Sequence, residues 1–167
     1  SIIGVRMLVV DDNATNRLIL AEQLESWSVR HVEVESAAQA RQALRLGLEQ
    51  GDPFQVVISD MQMPEEDGES LGLSLRADPA FQYVRLVIMT SLGQRGDAKR
   101  LEAAGFDAYL TKPVKQSFLY DCLATVLGKD EAGDARRPEV KLITRHLLNE
   151  AQRKKVRILL AEDSNIN

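Results

Sequence analysis

Along the first 128 residues, short apolar runs alternate with apolar positions at helical spacing, and the runs end on polar or charged side chains. Arg6 to Val10 is the first run, closed by Asp11-Asp12. Behind a polar entry at Asn13-Ala14-Thr15, Leu20, Leu24 and Trp27 predict a helix. Val29 to Val34 alternates apolar and polar residues as a strand does, and Ala37, Ala40 and Leu44 mark a helix that breaks at Gly51-Asp52-Pro53. Gln55 to Ser59 is rich in β-branched residues, as a strand covered on both faces should be, and Asp60 follows it. Met61-Gln62-Met63-Pro64-Glu65-Glu66-Asp67-Gly68 predicts a turn-forming loop, and Leu71 with Leu75 a third helix ending near Asp78-Pro79. Arg85 to Met89 reads as a strand, Asp97 to Ala104 as a short helix stopped by Gly105, and Asp107 to Leu110 as a strand. Residues 115 to 127 give a last amphipathic helix closed by Gly128. Strands and helices in strict alternation imply a parallel sheet covered on both faces, because right-handed crossovers place helices on either side. The predicted architecture is doubly wound α/β.

Beyond Gly128 the pattern changes. Residues 129–155 read as a linker: Lys129 to Pro138 has almost no apolar side chain, and the neighbours Leu142, His146 and Asn149, or Leu147 and Glu150, suggest a mostly polar helix within residues 139 to 153. His146 is expected to be an ordinary solvent-facing residue there, because no apolar helix of the kind found in kinases surrounds it. Residues 156–167 are a second start. The run Lys155-Val156-Arg157-Ile158-Leu159-Leu160-Ala161-Glu162-Asp163-Ser164-Asn165 repeats the pattern of residues 5 to 13, an apolar strand closed by an acidic pair. A one-strand copy cannot build a core, so the chain reads as cut from a longer protein just inside a second, similar domain.

Composition narrows the function classes. The net charge of -4 conceals a split, with 12 basic against 18 acidic side chains in residues 1 to 128 and 9 against 5 in residues 129 to 157. An acidic main domain argues against direct nucleic-acid binding, and the basic stretch reads as a solvated linker. An apolar share of 44% is that of a soluble globular protein. No apolar run is long enough for a membrane span and no charged-then-apolar leader opens the chain, so a cytoplasmic location is expected. Cys122 is the one cysteine, which excludes an internal disulfide, and its apolar neighbours place it in the core.

The candidate chemistry lies where the runs stop. In an open parallel sheet the carboxyl ends of the strands meet at one edge, where such sheets place their sites. Asp11, Asp12 and Asp60, the Thr90 hydroxyl and the Lys112 ammonium would converge there. Crowded carboxylates repel unless a cation lies between them. A hard divalent ion suits an all-oxygen set, so Mg²⁺ is expected on Asp12 and Asp60, a backbone carbonyl near Gln62, and Asp11 through water. An aspartate beside such an ion can attack phosphorus and form an acyl phosphate. Asp60 is the best acceptor because it ends the central strand, with Lys112 and Thr90 placed to contact phosphate oxygens. In isolation each landmark has an ordinary explanation: helix capping for Asp11-Asp12, a surface lysine for Lys112, half-buried packing for Tyr109. Their joint occurrence is what argues for a phosphoryl-transfer site.

On this ordered set, residues 1–128 resemble the receiver domain of bacterial two-component response regulators. The acidic pair Asp11-Asp12, Asp60-Met61-Gln62-Met63-Pro64 with Asp67-Gly68, then Thr90, and then Lys112-Pro113 carry the resemblance. It implies a flavodoxin-like, three-layer αβα fold with a five-stranded sheet of order 2-1-3-4-5. It also implies that Asp60 takes phosphate from a histidine kinase or phosphotransfer protein with Mg²⁺, that Thr90 swings toward the phosphate, and that Tyr109, at the aromatic switch position, turns inward. Gln62 and Leu92 stand where the family tunes hydrolysis of the phosphoryl group, and an apolar Leu92 cannot orient a water, so slow self-dephosphorylation is expected. The tail resembles a second receiver start, which suggests a hybrid histidine kinase or tandem-receiver parent and a neighbouring receiver as a further partner. The chain itself would do no more than take up and lose its own phosphate. Two other readings compete. A phosphatase of the haloacid dehalogenase type would want an Asp where Asn13 stands and a further acidic cluster after the lysine strand. A pseudo-receiver acting by protein contact alone would have lost the acceptor, the acidic pair or the lysine.

Overall fold

The computed structural model describes residues 1–128. The expected linker with His146 and the second start with Glu162 and Asp163 lie outside the described residues. Five strands form one parallel sheet: β1 (Arg6–Val10), β2 (Arg30–Val34), β3 (Val56–Asp60), β4 (Arg85–Thr90) and β5 (Ala108–Thr111), in the order β2-β1-β3-β4-β5. Between them run α1 (Ala14–Ser26), α2 (Ala37–Glu49), α3 (Gly68–Ala77) and α4 (Asp97–Ala103), and α5 (Gln116–Gly128) follows β5. This is the doubly wound, five-stranded order expected from the resemblance. No helix among the described residues is long and apolar enough to cross a membrane.

The period of two along each strand sorts its side chains to opposite faces. Met7, Val9, Ile58, Val87, Met89 and Leu110 pack with Leu20 and Leu24 of α1 and with Leu119, Cys122, Leu123 and Val126 of α5. Leu8, Val10, Val57, Leu86 and Ile88 pack on the other face with Ala40 and Leu44 of α2, Leu71 and Leu75 of α3, and Leu101 of α4. The two helices on one side and three on the other enclose a sheet whose β3 and β4 are buried throughout. Cys122 is fully buried in the first of these cores, as its apolar neighbours predicted.

The starts of α1, α2 and α3 follow side-chain caps. The backbone amide of Asn16 donates to the Asn13 side chain at 3.0 Å, and that of Ser70 to Asp67 at 2.7 Å. The α1 cap is therefore Asn13, and Asp11-Asp12 is not used up as a capping pair. Several boundaries differ from the sequence pattern. Asp60, Thr90 and Thr111 belong to the strands rather than following them, because ladder pairing continues past the last apolar residue. Gly128 is the last residue of α5 rather than the residue beyond it. A short 3₁₀ turn, Pro79–Phe81, which the sequence pattern did not predict, lies between α3 and β4 and buries Phe81.

Candidate functional site

Register brings the strand ends level. Val10 pairs with Ser59, which sets Asp11 beside Asp60; Asp60 pairs with Met89; and Thr90 pairs with Thr111, immediately before Lys112. The Lys112-Pro113 peptide bond is cis. Asp11, Asp12 and Asp60 each offer a carboxylate oxygen within 4.8 Å of the others. The Lys112 ammonium bridges two of them, donating to Asp60 Oδ1 at 3.0 Å and Asp11 Oδ2 at 3.3 Å.

The three carboxylates are held differently. Asp11 is 1% exposed and fixed from several sides: its amide donates to the Val34 carbonyl, Oδ1 accepts from the Asn13 amide at 2.9 Å, and its carbonyl accepts from Arg17 Nη1 at 2.8 Å. Asp12 is exposed at the rim. Asp60 is 9% exposed, and its carboxyl is pushed above the ordinary carboxylate range. Burial is the main cause; the neighbouring Asp11 and Asp12 charges add to it, while Lys112 works against it. A group in this state sheds part of its cost when a cation arrives.

The loop after β3 is built around a close approach. The Gly68 amide donates to the Met61 carbonyl at 2.9 Å, and a Cβ at Gly68 would lie 2.2 Å from the Asp60 carbonyl oxygen. Only glycine lets α3 start this near the end of β3. Gln62 is exposed in this loop.

Thr90 and Tyr109 have hydrogen-bond partners other than Asp11, Asp12 and Asp60. Strand alternation sets Thr90 and Tyr109 on the face covered by α2, α3 and α4, opposite that of Asp11, Asp60 and Lys112. The Thr90 hydroxyl is buried and accepts from the Leu92 amide at 3.2 Å. Tyr109 is half-buried, and its hydroxyl donates to Asp97 at 3.2 Å. Sequence reasoning passed over Arg17, which holds Asp11 by its backbone, and Asp97, which it read only as a helix start. No periodic signal marks either residue; their partners lie on other elements.

Whether the cluster suits Mg²⁺ is decided by its donors. They are all carboxylate oxygens, three against one ammonium, with Asp12 open to water. That set fits a hard divalent cation that keeps part of its water shell, and not a softer metal that wants His or Cys.

The response regulator receiver domain family matches residues 7–124 of the chain. The probable chemotaxis protein CheY of Rhizobium etli is 29% identical over 124 residues, covering 74% of this chain and 93% of that protein. The virulence sensor protein BvgS of Bordetella bronchiseptica is 34% identical over 117 residues, which are 67% of this chain but 9% of BvgS. Among solved structures, the receiver domain of a sensor histidine kinase from Pseudomonas aeruginosa PAO1, with a magnesium ion coordinated in its active site cleft, matches with a TM-score of 0.65. It is 28% identical, and the match covers 75% of this chain and 98% of that one.

Proposed function

The chain belongs to the response regulator receiver domain family, and from that premise we propose that Asp60 is its phosphoacceptor, loaded with Mg²⁺ from a phosphohistidine of a histidine kinase or phosphotransfer domain. The observation that carries the reading is the Lys112 ammonium seated between Asp60 and Asp11 at the sheet edge. Asp12 and Asp60, a backbone carbonyl near Gln62, and Asp11 through water would hold the ion, which supplies positive charge to the transferring group when bound. An Asp60 oxygen attacks phosphorus in line; the new P–O bond forms as the P–N bond to the imidazole breaks, and the imidazole nitrogen keeps the bonding pair. Lys112 moves its ammonium from the carboxylate to the phosphoryl oxygens. Thr90 exchanges its Leu92 contact for one of them, and the population shifts toward the state in which Tyr109 is turned in.

Residues 129–155 serve in this reading as a linker and residues 156–167 as the start of a second receiver, within a cytoplasmic hybrid kinase or tandem-receiver parent. Support comes from relatives such as BvgS and the sensor histidine kinase GacS of Pseudomonas protegens, in which the match spans 9% and 12% of the protein. The neighbouring receiver is a partner alongside the kinase. Neither a pseudo-receiver nor an aspartate-nucleophile phosphatase has comparable support, since acceptor, acidic pair and lysine are all placed together.

The deciding experiment is incubation with a small acyl phosphate donor and Mg²⁺ followed by intact-mass measurement. One phosphoryl group is expected on the wild type and none on an Asp60 variant; turnover of phosphate esters without a stable adduct would favour the phosphatase. Binding of the ion has its own readout. At about ten times its dissociation constant, Mg²⁺ should stabilise the chain by about 1.4 kcal/mol, or about 5 °C in Tm. Asp12→Ala should remove that increment, and an equal increment in the variant would argue against the assigned ligands. Leu92, 68% exposed two residues past Thr90, sets the lifetime. Leu92→Glu, which can orient a water, should shorten the half-life of the phosphorylated form about tenfold, equivalent to ~1.4 kcal/mol of barrier. A wild-type half-life of seconds would contradict the expected slow hydrolysis.

A further inference from the structure

A chain of polar contacts links the acceptor loop to Tyr109 without passing through Thr90. Arg100 of α4 donates from Nε to Glu69 Oε1 at 2.8 Å and from Nη1 to Asp97 Oδ1 at 2.9 Å. The other oxygen of Asp97 accepts from the Gln94 amide at 2.7 Å and from the Tyr109 hydroxyl at 3.2 Å. Asp97 is 4% exposed, and Gly96, the residue before α4, provides no side-chain cap. Its carboxylate therefore serves the loop, the helix and the tyrosine at once. Glu69 follows Gly68, whose backbone is packed against the Asp60 carbonyl with no room for a Cβ. A displacement of the acceptor turn thus reaches Glu69 without slack. At the far end, a Cβ on Gly93 would lie 3.0 Å from the Tyr109 hydroxyl, so the loop after β4 runs close to that hydroxyl as well.

We propose that Arg100, clamped between Glu69 of α3 and Asp97 of α4, is a tether that holds Tyr109 on Asp97 in the unphosphorylated chain and lets it go when the acceptor turn moves. Its switching role rests on Asp60 being the phosphoacceptor; the tether itself belongs to the unphosphorylated chain. Arg100 is half-exposed, so its ion pairs are weak enough to yield and open to screening by salt. Arg100 and Asp97 are positioning residues, which act on Tyr109 and touch no reacting atom. The low-lying acidity of Asp97, held down first by the Gln94 amide and then by Arg100 and Tyr109, is consistent with a carboxylate that stays charged while it holds the ring.

Fluorine NMR of the full chain labelled with 3-fluorotyrosine tests this. The chain has 3 tyrosines, and Tyr109→Phe identifies the resonance concerned. Phosphodonor and Mg²⁺ define its phosphorylated position, with intact mass read on the same sample. Without donor, Arg100→Gln, a change at a half-exposed side chain, should move the resonance at least about a third of the way to that position. Glu69→Gln should move it in the same direction, and the double variant no further than Arg100→Gln alone. About 1 M NaCl should reproduce the shift in the wild type. A Tyr109 resonance unmoved by both single variants would overturn the tether. If no mass is gained on Asp60, the phosphoacceptor reading fails instead. The tether is then judged by whether Arg100→Gln, Glu69→Gln and Asp97→Asn shift the unphosphorylated resonance alike: a common shift supports it, and the lack of one overturns it.

Discussion

Asp60→Asn is expected to gain no mass from an acyl phosphate donor with Mg²⁺ and, at neutral pH, to unfold at a higher temperature than the wild type. The first result follows from losing the nucleophile. The second follows from its surroundings. The Asp60 carboxyl is raised by burial and by Asp11 and Asp12, so between the ordinary carboxylate value of ~3.9 and its folded value the unfolded chain has released a proton that the folded chain keeps. Stability therefore falls as pH rises through that window and stays lower above it. Asparagine has no charge to bury, and Lys112 keeps Asp11 as a partner at 3.3 Å. The gain is expected to appear as a raised Tm at neutral pH and to vanish as pH drops below the carboxylate range. Thermal unfolding of both proteins across pH 3 to 8 checks it. A variant that still takes phosphate would end the acceptor assignment, and a stability difference that does not change with pH would end the electrostatic account.

Asp107→Ala is expected to cost the most stability of any single change at the described ion pairs, about 3 to 5 kcal/mol. Asp107 accepts from Arg76 at 3.1 Å and Arg85 at 3.4 Å, and all three side chains are about nine-tenths buried. It also accepts from the Leu86 amide at 2.9 Å. Arg76 is committed elsewhere too, donating to the Gly105 and Val84 carbonyls, each at 2.8 Å. Alanine leaves two guanidinium groups facing each other in a buried space and a strand amide without its acceptor. A loss of about 10 to 20 °C in Tm follows for a domain of this size. Asp107→Asn, which keeps an acceptor but not the charge, should fall between. A loss under about 1 kcal/mol in alanine would mean that the network contributes little.

These two residues also mark what the sequence discloses. Asp60 was legible because it ends a run of β-branched residues, and sheets of this type bring such ends to one edge. Asp11 and Lys112 were legible for the same reason, each closing its own strand. The boundary errors at Asp60, Thr90 and Thr111 share a cause: the ladder extends one residue into the polar site, where apolar period gives no signal. Asp107 was read as a strand residue, although it lies just before β5 and neutralises two arginines. Its partners stand 31 and 22 positions away, beyond any local pattern. The tether has the same character, since Arg100 and Glu69 are 31 positions apart and look like ordinary surface charges in the sequence. Tyr109 falls on the strand the pattern predicts and Thr90 one residue past it, but their side of the sheet depends on how the strands lie in space.

Under the proposed function, that sidedness separates chemistry from readout. Asp11, Asp60 and Lys112 share the α1 and α5 face, whereas Thr90, Tyr109 and the Arg100 ion pairs share the face of α3 and α4. Among the described residues the central sheet stands between the two sets like a bulkhead. Grafting α3 and α4 from another member of the family could therefore rewire what the domain signals to while leaving who donates to it unchanged.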